Sequence, residues 1–304
     1  MKRTTLILHN PHAGGGRSAR VWQSLMRTVP ELADCEAVRA GSAEGMIDAL
    51  AQRLTQDGGD VEKVLALGGD GTGNLAVNGL LRAGRGDLPL GLVPAGTGSD
   101  FARHLGLPRT AERALRRALS RDATTARTID AIEIRTASGS LRYAFNIASA
   151  GLSGAVDVAV EQARLTGGGS YRAAILSTLL RYGAVQARVE VDGEPFHDGP
   201  LYLVAMANAP YFGQNIKIAP NARIDDGLLE VVFIPPFPKW QLPFRLPMLL
   251  LGQHARLEKV RIRRAREVRI VPHEGFPPYD LDGEVLPSEP ATFRILPAAL
   301  RILE

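Results

Sequence analysis

Cysteine is almost absent from this 304-residue chain, with Cys35 its only example. One thiol can form neither an intramolecular disulfide nor a thiolate metal cluster, which excludes zinc-finger and disulfide-scaffold readings and fits a reducing, cytoplasmic setting. Aromatic residues are scarce at 6%. The one strongly basic run, Arg256 to Arg269, has no aromatics interleaved, so the surface of a nucleic-acid binder is missing and no nucleic-acid partner is expected. Long apolar runs are missing too. The greasiest stretch, WQLPFRLPMLLLG, is broken by Pro243, Arg245 and Pro247, short of the roughly 20 residues that a spanning helix needs. The opening MKRTTLILHNP reads as a first strand and not as a signal peptide, because its apolar run is short and ends at His9. Two familiar phosphate signatures are also lacking: there is no G-x-x-x-x-G-K-[ST] loop, and no G-x-G-x-x-G turn after the first strand.

What is present is a chain that is 45% hydrophobic and long enough for about two domains. A net charge of +4 suits an anionic ligand or surface without choosing between them. Up to about residue 128, strand-like runs (TTLILHN, CEAVRA, VEKVLAL, LPLGLVP) alternate with helical ones (SARVWQSLMRTV, AEGMIDALAQRLTQ, NLAVNGLLRAG, ERALRRALS). That alternation predicts βαβ units and a doubly wound, mostly parallel sheet. Beyond it, runs such as TIDAIEIRT, LRYAFNIASAG, AVQARVEVDG, PLYLVAMANA, GLLEVVFIP, VRIRRAREVRIVP and ATFRILP predict a mainly antiparallel β-sandwich. Helical inserts are expected near Ser153 to Arg164, Tyr171 to Tyr182 and Trp240 to Leu250. The expected division is an α/β domain over 1–128, joined by the tail 297–304, and a sandwich domain over 129–296, with the site in a cleft between them.

Three glycine-bearing junctions follow strands of the first domain: HNPHAGGGRS, GGDGTGN and PAGTGSDFAR. In open α/β sheets, ligands bind at the carboxyl ends of the strands. Glycine lets backbone approach closely there, and the helix N-terminus behind it offers N–H donors and partial positive charge, a combination suited to phosphate. Asp70 sits inside the second loop. A carboxylate there repels phosphate unless a cation lies between, which points to Mg²⁺ held against a nucleotide; capping of the following helix is the competing reading.

Together, NPHAGGG, GGDGTGNLAVNG, PAGTGSDFAR, KIAPNARIDDGLLEVV, DLDGEVLP and FRILPAALRIL resemble, in order, the motifs of the diacylglycerol kinase catalytic family, which includes bacterial lipid kinases and sphingosine and ceramide kinases. The resemblance implies an NAD-kinase-like nucleotide domain, a β-sandwich lipid domain, and ATP- and Mg²⁺-dependent phosphorylation of a lipid hydroxyl. Diacylglycerol is the first choice of substrate. Ceramide, sphingosine and phosphatidylglycerol are alternatives, with NAD kinase or a catalytically silent nucleotide- or lipid-binding protein behind them.

Carried over by residue, the resemblance implies a nucleotide site lined by Asn10, Pro11, His12, Ala13 and Gly14, with Gly68, Gly69, Asp70, Gly71, Thr72, Asn74 and Thr97 at the phosphates. Asp70, Asp100 and Glu284 are implied around the catalytic Mg²⁺, and Asp282 or Glu284 as the base. A structural Mg²⁺ is implied on the Asp226 side chain and the carbonyls of Arg223 and Leu228. Some positions depart from the family pattern: Ser99 replaces the usual Asn, Leu75 replaces an acidic residue, and Ser42 is the nearest hydroxyl to a missing nucleotide-pocket Thr. The expected partner is a lipid substrate at a membrane surface, met by peripheral contact from the cytoplasm, with a homodimer possible. Residues 237 to 249 mix Phe, Trp, Leu and Met with Lys239 and Arg245, which suits either interfacial docking or packing on the sandwich.

Overall fold

The computed structural model describes residues 3–56, 59–95, 99–166, 171–213 and 215–304, apart from the side chains of 164–166 and 171–174. Contacts divide the chain into two units, Met1–Ala131 with Pro297–Glu304, and Ile132–Leu296.

In the first unit the order is β1 (Thr4–His9), α1 (Arg17–Thr28), β2 (Glu36–Val38), α2 (Ala43–Thr55), β3 (Val61–Gly68), α3 (Asp70–Arg82), β4 (Pro89–Pro94), α4 (Asp100–His104) and α5 (Ala111–Ser120). The strands pair β2-β1-β3-β4, all parallel, and Arg301–Leu303 near the chain end pair parallel with β4. Leu25 of α1 and Leu115 of α5 pack with Ile7, Leu65 and Val93, while the intervening Leu6, Leu8, Val64 and Ala66 are buried as well. Both sheet faces are therefore covered. This is why β1 and β3 are nearly continuous in apolar residues and do not alternate. Lys63 is buried in β3 and donates to the carbonyls of Ala118 (3.2 Å), Leu119 (3.0 Å) and Arg121 (2.9 Å), tying down the end of α5.

The chain leaves through β5 (Arg127–Thr136) into the second unit, which holds β6 (Leu141–Ala144), β7 (Ile147–Gly151), α6 (Leu152–Thr166), α7 (Tyr171–Arg181), β8 (Val185–Val191), β9 (Glu194–Leu201), β10 (Leu203–Ala207), β11 (Leu229–Ile234), α8 (Leu242–Leu250), β12 (Arg261–Ala265), β13 (Glu267–Pro272), β14 (Tyr279–Leu281) and β15 (Glu284–Leu286). The last strand, β16 (Ala291–Leu303), returns to the first. One antiparallel sheet runs β12-β11-β10-β7-β14-β15. Facing it, the start of β16 pairs with β13, then β8 and β9, also antiparallel. Inward residues of both layers, among them Ala148, Val189, Val204, Val231, Val268 and Phe293, share one core, as a sandwich requires. β8 shows the alternation directly: Ala187, Val189 and Val191 are buried, while Gln186 and Arg188 are exposed.

Three local expectations shift. LRYAFNIASAG breaks at Phe145 and Asn146 into β6 and β7, and VRIRRAREVRIVP breaks at Arg266 into β12 and β13 in different sheets. The third helix starts at Asp70, leaving only Gly69 between strand and helix where a longer loop is expected. Sequence pattern also gives no warning of the five-residue α4 or of β9.

Gly154 lets α6 lie against the chain entering β14: a Cβ there would come 1.7 Å from the Pro278 carbonyl oxygen. Alanine favours a helix interior by about 1 kcal/mol, but overpacking against immobile backbone costs about 1–3 kcal/mol or more. Gly154→Ala is therefore expected to destabilise by about 1 kcal/mol or more, read as a lower urea midpoint; an unchanged midpoint would show that the contact relaxes freely.

Candidate active site

The three glycine junctions lie at the carboxyl ends of β1, β3 and β4, where a parallel sheet presents its ligand face. After β1, the Asn10 side chain accepts from the His12 N–H (3.0 Å) and its carbonyl from the Ala13 N–H (3.2 Å), folding Asn10 to Gly14 into a tight turn. Gly14, Gly15 and Gly16 follow at φ +61°, +64° and +81°, a left-handed run open to glycine and poorly to other residues. Buried His9 stacks on Trp22, centroids 4.7 Å apart, and Arg39 lies 4.5 Å from the same indole ring. Burial, then the Arg39 charge, hold His9 down at about 4, so it is neutral at physiological pH.

After β3, the first backbone bond of α3 is Gly73 N–H to Gly69 oxygen (3.0 Å), so the N–H groups of Asp70, Gly71 and Thr72 precede any intrahelical acceptor. The Thr72 hydroxyl is buried without a hydrogen-bond partner. A Cβ on Gly68 would meet that hydroxyl at 2.0 Å, which fixes glycine at 68. Asn74 faces its own helix and accepts from Asn78 Nδ2 (2.9 Å).

Asp70 accepts from the backbone N–H groups of Asp100 (2.8 Å) and Phe101 (3.4 Å), so it caps α4 across the chain. Asp100, also buried, pairs with Arg103 (2.7 Å). Burial pushes Asp70 up to about 6; the Asp100 charge adds to this and the Asp100 N–H opposes it. Ser42 is the N-cap of α2, its hydroxyl accepting from Gly45 N–H (3.1 Å). Thr97 lies outside the described residues.

In the second unit, Asp282 and Gly283 form the two-residue turn between β14 and β15, at φ +57° and +91°. Asp-Gly suits such hairpin turns because both positions require positive φ. The Asp282 carboxylate is buried and accepts three backbone N–H bonds: Phe145 (2.9 Å), Asn146 (3.2 Å) and Ile147 (2.8 Å). Glu284, two residues on, is only partly buried.

Beside this turn, Asp280 accepts from Gly283 N–H (2.8 Å) and from the Ser149 hydroxyl (3.2 Å), and it pairs with Asp157 on α6. Burial, then the Asp280 charge, push Asp157 up to about 9, and burial raises Asp280 too, so the pair holds a proton at neutral pH. Sequence reading missed Asp157. Its only trace is a lone acid inside the apolar run GAVDVAV.

At the position implied for a structural cation, Asp226 accepts from Leu228 N–H (3.1 Å) and is paired with Arg264. A guanidinium thus neutralises the carboxylate that the resemblance reserves for Mg²⁺. Nearby Glu230 is buried, and burial raises it against the opposing Asn221 N–H and Arg264 charge.

Residues 4–131 match the diacylglycerol kinase catalytic domain, and residues 146–304 match the YegS C-terminal NAD kinase beta sandwich-like domain. The chain is 30% identical to the diacylglycerol kinase of Mycobacterium tuberculosis over 298 residues, 97% of this chain and 93% of that protein. The chain belongs to the diacylglycerol kinase family of lipid kinases. It is also 30% identical to an Escherichia coli protein described as "probable lipid kinase YegS", over 88% of this chain and 89% of the relative. In fold it is similar to the crystal structure of a diacylglycerol kinase from Bacillus anthracis, with a TM-score of 0.70 and 21% identity, covering 99% of this chain and 96% of the other.

As a kinase of this family the enzyme draws its phosphoryl group from ATP, and the first unit is chemically suited to phosphate: a helix N-terminus, glycines and an unpartnered buried hydroxyl meet after β3. Among the described residues, no three His, Cys, Asp or Glu side chains gather to hold a metal unaided. Mg²⁺ seldom asks for that, since it uses one or two carboxylates together with waters and substrate phosphates, and Asp70 with Asp100 supplies such a pair.

Because folding raises Asp70 from 3.8 to about 6, the fold holds that proton more tightly than the unfolded chain. The associated stability is intact below 3.8 and is lost as pH rises through about 6, by up to about 3 kcal/mol. Urea midpoints of the wild-type enzyme should therefore fall relative to those of Asp70→Asn between pH 4 and pH 7, by a gap on the order of 2 kcal/mol. Parallel curves would contradict the burial of an ionisable Asp70.

Proposed function

We propose that the enzyme transfers the γ-phosphoryl group of ATP to the free hydroxyl of diacylglycerol, forming phosphatidic acid. The reading is carried by the likeness, along 97% of this chain, to the diacylglycerol kinase of M. tuberculosis. Phosphoryl transfer asks chiefly for positioning and charge neutralisation, with one group near the attacking hydroxyl to take its proton. The N–H groups opening α3 and the Thr72 hydroxyl bind phosphate oxygens, with the Asn10 to Gly14 turn on the nucleotide. Asp70 and Asp100 are the side chains that would hold Mg²⁺, which when bound supplies positive charge against the phosphates.

Between the two candidate bases, geometry favours Glu284. Asp282 is buried and already accepts three backbone N–H bonds, so its oxygens are committed to the turn, whereas Glu284 is only partly buried. Asp282 is then a positioning residue that fixes the turn presenting Glu284, and the Asp157–Asp280 pair braces the same turn through Gly283.

Two measurements test this. Phosphate transfer from ATP in mixed micelles, run separately with diacylglycerol, ceramide, sphingosine and phosphatidylglycerol and with NAD as soluble control, should give labelled product with diacylglycerol and lose it in Asp70→Asn. Product from another lipid alone would replace the substrate, and product from NAD alone would overturn the lipid reading for this chain. Glu284→Gln should lower kcat by about 100-fold or more at unchanged stability. Asp282→Asn should lower activity and also stability, by about 2 kcal/mol, because an amide cannot satisfy three N–H donors. The reverse pattern would return the base to Asp282.

A further inference from the structure

Helix α8 is turned inside out relative to an ordinary surface helix. From the turn before it to the residue after it, Trp240, Pro243, Phe244, Pro247, Leu250 and Leu251 are exposed, at spacings of three and four. Trp240 and Phe244 are each 70% exposed and Leu251 66%. That is the helical period of a buried stripe, presented outward. The opposite side holds the segment on the unit: Leu249 and Phe237 pack on Tyr202 and its neighbours, and Arg245 lies over the Phe237 ring at 4.7 Å.

A second apolar strip lies beside it. Lys239 donates to the Leu179 carbonyl (3.0 Å) and to that of Tyr182, capping the end of α7. This bond pins the 239–241 turn to α7, whose Leu176 and Leu180 are 52% and 54% exposed. Charge around both strips has one sign. Residues 175–183 and 235–257 contain no Asp or Glu, while they contain Arg181, Lys239, Arg245 and Arg256.

We infer that this face, α8 with its flanking turns and the outer side of α7, docks on an anionic phospholipid bilayer. Exposed Trp240 and Phe244 on the turn and helix, flanked by exposed Arg181 and Arg256 and by no acid, match the apolar and electrostatic terms of interfacial binding. A second copy of the chain fits less well. A nine-residue helix offers a strip of roughly 14 Å by 10 Å, against about 800 Å² per partner in a stable interface. Among the described residues no helix is long and apolar enough to cross a membrane, so a lipid acceptor must be met at a surface. Within this unit α7 packs on α6, and α6 on the strands flanking the Asp282–Gly283 turn, so the docking face belongs to the same body as Glu284. The choice of occupant rests on the lipid-kinase reading; the exposed stripe does not.

The chain has two tryptophans, Trp22 and Trp240, which makes the test spectroscopic. Vesicles of brominated phosphatidylcholine, with and without phosphatidylglycerol, should quench Trp240 emission, more strongly when phosphatidylglycerol is present, while Trp22, stacked against His9, stays unquenched. The exposed-site double variant Trp240→Ser/Phe244→Ser should sediment with these vesicles about 10-fold less, with its urea midpoint unchanged. Vesicle binding equal in variant and wild type overturns the proposal, as does absent vesicle binding by the wild type. A change of oligomeric state in the variant without a vesicle effect overturns it in favour of a dimer face. Inactive wild type on every micellar lipid, with normal vesicle binding, would unseat the kinase reading and leave the docking face standing.

Discussion

A carboxylate removed from water must be hydrogen-bonded, paired or protonated, and the candidate active-site residues follow from how this enzyme meets that demand. Asp282 meets it with three backbone N–H groups, and those groups belong to Phe145, Asn146 and Ile147, where one strand ends and the next begins. The carboxylate supplies the acceptors that a sheet ladder would otherwise give this break. Asp70 meets the demand by capping a helix thirty residues away in sequence. Asp157 and Asp280 meet it by keeping a proton.

These different solutions give acids of the same type different chemistry. A buried carboxylate that accepts three N–H donors is held in one place. One that shares a proton with its neighbour is half-neutral and serves as a brace. Glu284, next to Asp282 across one glycine, is only partly buried, and that difference separates a group that a substrate can reach from a group suited to holding a turn. In the first unit the same logic links two loops. Because Asp70 opens α3 while its oxygens cap α4, the turn into α3 and the start of α4 cannot move independently without leaving the Asp100 and Phe101 N–H groups unpaired.

Much of this was legible in the sequence, and for identifiable reasons. Strand-like runs alternating with helical ones, against strand-like runs following one another, separated the parallel sheet from the sandwich, because a parallel neighbour needs a crossover connection and an antiparallel one only a turn. Asp-Gly between short strands declared its turn through the φ that glycine permits. Asp70 was read both as a cation ligand and as a cap, and its bonds are those of a cap, although on α4 and not on the helix that it begins. What sequence could not reach were features made by distant partners. Nothing local marks that Asp157 meets Asp280, that Arg264 meets Asp226, or that Arg266 is where the chain changes sheets. Nor does anything local mark the Ser42 hydroxyl as a helix N-cap rather than only the nearest hydroxyl to a missing pocket Thr, because both tasks call for the same side chain.

Two departures from the usual partition of residues remain, and they point in opposite directions. Acids are buried at Asp100, Asp280 and Asp282 and partly buried at Asp70 and Asp157, while a turn and helix expose Trp240 and Phe244. Many other segments follow ordinary patterning: α5 buries Ala114, Leu115 and Ala118 and exposes Glu112, Arg113 and Arg116, and β8 buries Ala187 and Val189 on either side of exposed Arg188. A sequence that obeys the rule over most of its length and breaks it at a few clustered positions is not poorly optimised at those positions; stability alone would have removed the misfits. Buried acids are useful where charge must be held against charge in a low dielectric. Exposed tryptophan and phenylalanine are useful where the surroundings are not water. A kinase that joins a highly charged phosphate donor to an acceptor dissolved in hydrocarbon needs both: acids at strand ends and turns, and an apolar stripe on a helix at the surface.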